Sequence, residues 1–301
     1  MADLVAVLVA VTEGEPKIMT IANARALPSG PFEFAHRSLQ TGLRTWVEAQ
    51  TGHPLGYVEQ LYTFADRGRT EDARAAHSIS VSYLGLTRED QVGQGFEAHW
   101  SAWYDYFPWE DHRAGPPAFL AKVLVPKLRA WAKSASSAAM QRDRWQRVAI
   151  TFGLDGRDWN EELVLQRYEL LYEASLIPEA VRDQGSLASI MPGRPMIGDH
   201  RRILATGIAR LRAKIKYRPV VFELMPAKFT LLQLQRSVEA LAGRLVHKQN
   251  FRRLIEQQEL VEETGAIAAD TVGRPAKLFR FRHAVLAERA VAGTKLPLSR
   301  S

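Results

Sequence analysis

The chain has 301 residues, 46% hydrophobic and 24% charged, and no cysteine, the composition of a chain that can bury a core rather than of a disordered or fibrous one. Without cysteine it has no disulfide, no thiolate metal site and no cysteine nucleophile. The net charge of +7 is unevenly spread: residues 201–301 carry 20 Lys and Arg against 8 Asp and Glu, whereas residues 1–200 carry 20 against 25, which suits a polyanion-binding module behind a mildly acidic body.

In chain order, Leu4–Thr12 is a continuous apolar and β-branched run and Lys17–Asn23 a second, with Glu13-Gly14-Glu15-Pro16 as the turn between two strands. Leu39, Leu43, Trp46 and Val47 recur at helical spacing within Ser38–Gln50, and Gly52 lies beyond that helix's end. Strand character returns at Tyr57–Phe64 and at His77–Leu86, where Ile79, Val81 and Tyr83 alternate with Ser78, Ser80 and Ser82. Residues 93–118 are rich in aromatics and read as core or subunit interface. Ala130–Ala139 has the small, polar make-up of a linker or an exposed helix end. Asn160–Leu176 reads as an amphipathic helix, with Leu163, Leu170 and Leu171 inward and Glu161, Arg167 and Glu173 elsewhere. The Gly- and Pro-rich stretch 185–198 breaks the pattern, so the domain boundary is expected near 198. No stretch approaches the roughly 18 apolar residues of a membrane span, and the run Leu4–Val11 lacks a basic lead, so a cytoplasmic protein without membrane association is expected.

The last hundred residues have a tighter rhythm. Asp199 can cap a helix reaching Ile215; Tyr217–Leu224 is apolar and extended around Pro219; Thr230 introduces a helix Leu231–Leu241 ended by Gly243; His247–Gln258 is a third helix. Leu260–Thr264 and Leu278–Arg282 read as strands flanking a turn with Gly265 and Gly273-Arg274-Pro275. This is the order of a winged helix-turn-helix. In such a module the helix before the hairpin enters the major groove. Here it presents His247, Lys248, Gln249, Asn250, Arg252 and Arg253, side chains suited to base edges and phosphates, above the inward Phe251, Leu254 and Ile255. Arg274 and Lys277 at the hairpin tip suit a narrow minor groove. Lys214, Lys216, Arg218 and Thr230 complete the expected DNA-contacting set, and because one helix reads only a few base pairs, a homodimer on a pseudo-palindromic double-stranded operator is expected.

The segments Asp199–Arg212, Lys216–Leu224, Phe229-Thr230-Leu231, Leu234-Gln235-Arg236 and Lys248–Arg253 resemble the carboxy-terminal domain of the Nudix-related transcriptional regulators (NrtR), and Tyr57–Asp66 resembles the matching part of their Nudix domain. The resemblance covers most of the chain and is weaker over residues 93–160. It implies an α+β protein: a Nudix-like α/β/α sandwich over 1–198, elaborated at about 93–180, then a winged helix-turn-helix over 199–301. It further implies a dimeric repressor of NAD-synthesis or NAD-salvage genes whose effector is ADP-ribose or a related NAD derivative, with release of DNA as the response.

A Nudix hydrolase needs Gly-x5-Glu-x7-Arg-Glu-U-x-Glu-Glu-x-Gly-U, with U aliphatic, so that carboxylates along one helix hold Mg²⁺ against a pyrophosphate. Anchoring on Gly52 puts Thr45, Trp46, Ala49 and Gln50 at the Arg, Glu, Glu and Glu positions; anchoring on Gly30 recovers Arg44 and Glu48 but leaves His36, Thr45 and Ala49 at the other acidic ones. Neither register supplies paired carboxylates. No metal, no cofactor and no hydrolysis are therefore expected. A metal-free site must hold a diphosphate with cations, so Arg37, Arg44, Arg67 and Arg69 are effector candidates, with Glu59 and Asp66 as acceptors for ribose hydroxyls. The competing reading is a Nudix-type nucleotide-sugar pyrophosphatase with a nucleic-acid-binding tail.

Overall fold

The computed structural model describes residues 2–65, 79–89, 96–180, 192–268, 275–282 and 284. Its centre is β1 (Ala2–Thr12), in which every residue from Leu4 to Ala10 is buried. A strand apolar on both faces must be covered on both, and this one is. Leu4, Ala6 and Leu8 pack with Leu43 and Val47, while Val5, Val7 and Val9 join a second core that includes Ile203, Leu204 and Ile208. After a turn in which Glu13 and Gly14 have φ of 54° and 77°, β2 (Glu15–Thr20) returns antiparallel over Val9–Thr12. The amino-terminal half of the same edge of β1 is taken by β3 (Ser29–Pro31). This strand was absent from the sequence reading, because three residues of Ser-Gly-Pro carry no alternation and become a strand only by pairing.

Helix α1 (Leu39–Thr51) is capped by the Ser38 hydroxyl, which accepts from the Thr41 amide, and ends at Gly52 with φ of 65°. β4 (Tyr57–Phe64) and the parallel partner of β1, β5 (Ile79–Leu86), follow, then β6 (His99–Ala102). The sheet order is β4-β5-β1-β2-β6, with β3 on β1. The aromatic-rich segment is core, with Trp103, Tyr106, Phe107 and Trp109 fully buried. What read as a linker at 130–139 is the end of α2 (Val125–Lys133) and the start of α3 (Ala138–Phe152), whose cap is Ser137. α4 (Val164–Glu173) is shorter than expected, and its Arg167, expected outside, is fully buried.

α5 (His200–Lys214) lies on the sheet against β1, β4 and β5. α5 thus packs on elements that precede the boundary expected near 198. The contact depends on Gly207: a Cβ there would stand 2.9 Å from Val7 Cγ1.

Beyond α5, Val220–Leu224 is a 3₁₀ turn rather than the expected extended segment. It pairs with no strand among the described residues and instead buries Val220, Val221, Phe222 and Leu224. α6 (Leu231–Ala242) opens with a reciprocal capping box between Thr230 and Gln233 and closes at Gly243. α7 (Lys248–Gln257) follows after a short turn, then the antiparallel hairpin β7 (Val261–Ala268) and β8 (Ala276–Phe281), with Phe229 bridging to Phe279.

Gly207→Ala measures how tightly α5 is seated. Alanine gains about 1 kcal/mol of helix propensity, but overpacking against a buried sheet valine costs about 1–3 kcal/mol. Equilibrium urea unfolding is expected to show a net loss of up to about 2 kcal/mol; a gain would mean that α5 rides loosely on β1.

Candidate functional site

α7 divides its residues sharply. Phe251 and Ile255 are buried, whereas Lys248, Gln249, Asn250, Arg252 and Arg253 are all exposed, and none of these five side chains makes a hydrogen bond or ion pair among the described residues. His247 stands at the amino-terminal cap in extended conformation, without a side-chain capping bond. The helix therefore offers amides and guanidinium groups with their donors and acceptors uncommitted, on a rigid apolar foot. Base-edge reading requires that combination.

The other expected DNA contacts fare differently. Lys214 is buried; its Nζ donates to the Tyr57 hydroxyl (2.6 Å) and pairs with Glu59. Burial, and then neighbouring Arg218, hold its ammonium below the usual lysine range. It is a structural cation, not a phosphate contact. Lys216 pairs with Glu161 (2.8 Å) and Glu162 (2.6 Å), and Lys277 with Glu263 (2.8 Å). Thr230 is buried and its hydroxyl accepts from the Gln233 amide (3.1 Å), so its role is to cap α6. Arg218 is exposed and makes no ion pair among the described residues. Arg274 lies outside the described residues.

On the first domain, the α1 positions set against the Nudix pattern in the sequence are used for packing. Trp46 lies against Gly30, where a Cβ would stand 2.3 Å from the indole, and donates to the Pro31 carbonyl (2.8 Å). Gln50 clamps the Ser29 backbone from both sides, accepting its amide (3.0 Å) and donating to its carbonyl (2.7 Å). Arg44 donates to the carbonyls of Leu55 and Gly56, so it holds the loop after the helix. Glu48 and Arg37 are exposed. Among the described residues no three His, Cys, Asp or Glu gather closely enough to hold a metal ion.

A polar pocket of about 190 Å³ opens where β1, β3 and β5 meet the start of α5, lined by Asp3, Ser29, Ser80, Asp199 and His200 among others. His200 accepts from the Leu27 amide (2.9 Å) through Nδ1; burial lowers its pKa to about 4, with Asp3 acting in the opposite sense, so it is a neutral imidazole. Arg37, Arg44 and Glu59 do not line this pocket, and Asp66, Arg67 and Arg69 lie outside the described residues.

The two halves meet at a buried charge cluster that the sequence reading missed. Glu110 is 1% exposed and Arg167 and Arg212 are 0%. Arg167 grips Glu110 with two bonds (2.6 and 2.8 Å) and Arg212 adds a third (2.6 Å). Burial alone would raise the Glu110 carboxyl; the two guanidinium groups outweigh it and hold the group below its ordinary value. Arg212 also donates to the Leu241 carbonyl (2.8 Å), the Tyr104 hydroxyl donates to the Ala240 carbonyl (2.7 Å), and the His112 amide donates to the Gly243 carbonyl (2.7 Å). The end of α6 is thereby fastened to the first domain. Gly243 is required there, with φ of 70° and a would-be Cβ 2.4 Å from the Glu110 carbonyl.

These features define an architecture: a mixed-sheet α/β domain joined to a helix-and-wing module. Residues 221–281 match the family model described as the NrtR DNA-binding winged helix domain. The fold of the whole chain is similar to that of Shewanella oneidensis NrtR, solved in complex with a 27mer DNA, at 19% identity and a TM-score of 0.58 over 95% of each chain. It is also similar to a MutT/nudix family protein from Enterococcus faecalis, at 16% identity and a TM-score of 0.53, covering 93% of this chain and 86% of that one. In sequence, 85 residues are 40% identical to the ADPR responsive transcriptional repressor NtrR of Acinetobacter baylyi; the match spans 28% of this chain and 33% of that protein. The chain thus has the two-part fold of NrtR, a Nudix domain followed by an NrtR-type winged helix, as the resemblance in sequence led one to expect.

Glu110→Gln removes one charge and leaves two buried guanidinium groups facing each other. Losing one partner of a buried ion network costs about 3–5 kcal/mol, and urea unfolding of the variant is expected to show it. A loss below about 1 kcal/mol would assign the cluster no part in holding the halves together.

Proposed function

We propose that the protein is a transcriptional repressor of NAD-synthesis or NAD-salvage genes that binds a pseudo-palindromic operator as a homodimer and releases it when ADP-ribose or a related NAD derivative binds the Nudix domain. The observation that carries this reading is the set of uncommitted side chains on α7, seated on a winged helix that matches the NrtR model. Gln249, Asn250, Arg252 and Arg253, with His247 at the cap, form the reading face, and Lys248, Arg218 and Arg274 are its flanking cations. The ADPR responsiveness of the Acinetobacter relative supports the choice of effector.

The catalytic glutamates are, in this reading, lost rather than displaced. Gln50 is spent on the Ser29 backbone and Trp46 on Gly30, so the helix that carries a hydrolase's metal site here braces β3. We place the nucleotide at the polar pocket beside Ser29, Ser80 and His200, with Arg37 as the exposed cation within reach of α1. Arg44 and Glu59 are engaged by structural partners and are not primary contacts of the nucleotide. The domain division follows the packing: α5 works with the sheet, and the DNA-binding module begins at about residue 219.

The operator test separates two kinds of contact. Arg252→Ala and Asn250→Ala should each cost about 1–3 kcal/mol on the operator and relax base choice, whereas Lys248→Ala should weaken specific and random DNA alike and reduce the salt slope by about one. Equal effects of all three on both DNAs would remove α7 from the major groove. Fluorescence anisotropy of the operator with and without ADP-ribose tests the effector: coupling of about 1–3 kcal/mol, or roughly 5- to 150-fold in affinity, is expected, and it should persist in EDTA. Turnover of ADP-ribose with Mg²⁺ at about 1–1000 per second would restore the pyrophosphatase reading.

A further inference from the structure

A second cavity, unrelated to the nucleotide pocket, lies behind the recognition helix. It has a volume of about 340 Å³ and is enclosed by the stretch after α5, by α6 and by α7, within the range of small-molecule pockets. Its walls are apolar: Val221 and Phe222 from the 3₁₀ turn, Leu234 and Val238 from α6, Phe251 and Ile255 from α7. Its lining is otherwise strongly biased in charge. Arg212, Lys216, Arg218 and Arg244 contribute four cations against one carboxylate, that of Glu161, and Arg212 is already held by Glu110. Glu161 is already shared, taking Lys216 at 2.8 Å and Arg244 at 3.3 Å, and Arg218 is left without an anion among the described residues. Two half-exposed apolar side chains, Tyr217 and Leu254, stand beside the charged groups.

An apolar chamber with an unpaired guanidinium in its lining selects for one kind of molecule. The body must be aliphatic or aromatic, so that its burial removes apolar surface from water, and the head must be an anion that a guanidinium can grip through two parallel hydrogen bonds. We propose that this cavity is a binding site for an amphipathic carboxylate of medium-chain or aryl-acid size. The site is independent of the nucleotide reading, since it uses no residue of the sheet domain's polar pocket. Two of its walls, Phe251 and Ile255, are the inward face of α7, so an occupant bears directly on the helix that meets DNA. Arg218 is also one of the flanking cations proposed for phosphate, and a bound acid would neutralise it. Both effects act in the same direction, toward weaker operator binding.

The probe is decanoate, titrated calorimetrically into the full-length protein without DNA, with decyltrimethylammonium as the control of equal tail and opposite head. Decanoate should bind at one site per chain and the cation at least tenfold more weakly. Arg218→Gln should lower decanoate affinity about tenfold and Arg218→Glu further, while Leu254→Trp, at a half-exposed position of the lining, should reduce binding of any tail. In the anisotropy assay, saturating decanoate should weaken operator binding without ADP-ribose present. Absence of decanoate binding, equal binding of the two head groups, or indifference to both Arg218 variants overturns the proposal. The head-group comparison uses the unaltered protein and so does not depend on any variant folding. Because the readout needs neither DNA nor nucleotide, failure here leaves the repressor reading untouched, and failure of that reading leaves this site intact.

Discussion

Glu110 sits in a place where a single carboxylate is unfavourable and two guanidinium groups are worse. Each ion on its own would cost several kcal/mol to bring out of water, so the cluster is stable only when α4 delivers Arg167, α5 delivers Arg212 and the segment before α2 delivers Glu110 together. The remaining donors are satisfied as well: Arg167 reaches the carbonyls of Thr151 (2.7 Å) and Asn160 (3.0 Å), and Arg212 reaches those of Leu241 and Glu161. A full set of partners turns a penalty into a constraint on geometry. With the Gly243 turn packed against it, the cluster sets where the last turn of α6 can lie, and α7 begins five residues after that glycine.

The same reasoning explains how the basic third of the chain spends its charge. Much of it never faces a polyanion. Arg201 is buried, bonding to Glu179 at 3.1 Å and to the Tyr106 carbonyl; Arg212 is in the cluster; Lys214 and Lys216 bind carboxylates of the first domain; Lys277 and Arg280 pair with Glu263 and Glu262 across the hairpin. Exposed pairs of the last kind contribute little to stability, but they do neutralise the hairpin's face. Among the described residues of this third, the cations left unpaired are Lys248, Arg252 and Arg253 on α7, with Arg210, Arg218, Lys228 and Arg236 elsewhere. Net charge therefore pointed to the right module for partly the wrong residues.

Periodicity made the scaffold legible from sequence. The unbroken apolar run of β1 announced a strand, and the alternation in β5, the helical spacing within Ser38–Gln50 and the signals at Thr230 and Gly243 located their elements closely. The helix-helix-hairpin order was readable because each of its boundaries is a local signal. Charged residues were read poorly, since a lone Arg or Lys looks alike whether it meets solvent, phosphate or a buried glutamate tens of residues away. Arg167 shows the difficulty: its partner is 57 positions distant, and nothing in its neighbours marks it as buried. The seating of α5 on the sheet was hidden for a related reason. Glycine and proline mark where the chain turns, whereas the domain a helix joins is decided by shape, here by the absence of a side chain at Gly207.

α5 follows from both observations. Its first turns bear on the sheet at Gly207 and line the polar pocket with His200, and its last turn holds Glu110 and the Leu241 carbonyl through Arg212. A helix rises 1.5 Å per residue, so these points are about 18 Å apart along one rigid element. Close packing resists small continuous adjustment, so α5 cannot shift at its start without carrying Arg212, and Arg212 cannot move without either breaking its bond to α6 or taking α6 along. For an effector bound near His200, that is a mechanical route to the recognition helix that needs no change in the fold of either domain. The cost of breaking the buried bonds favours movement of α6 as a body. A regulator built this way would respond by re-aiming its reading heads rather than by melting them.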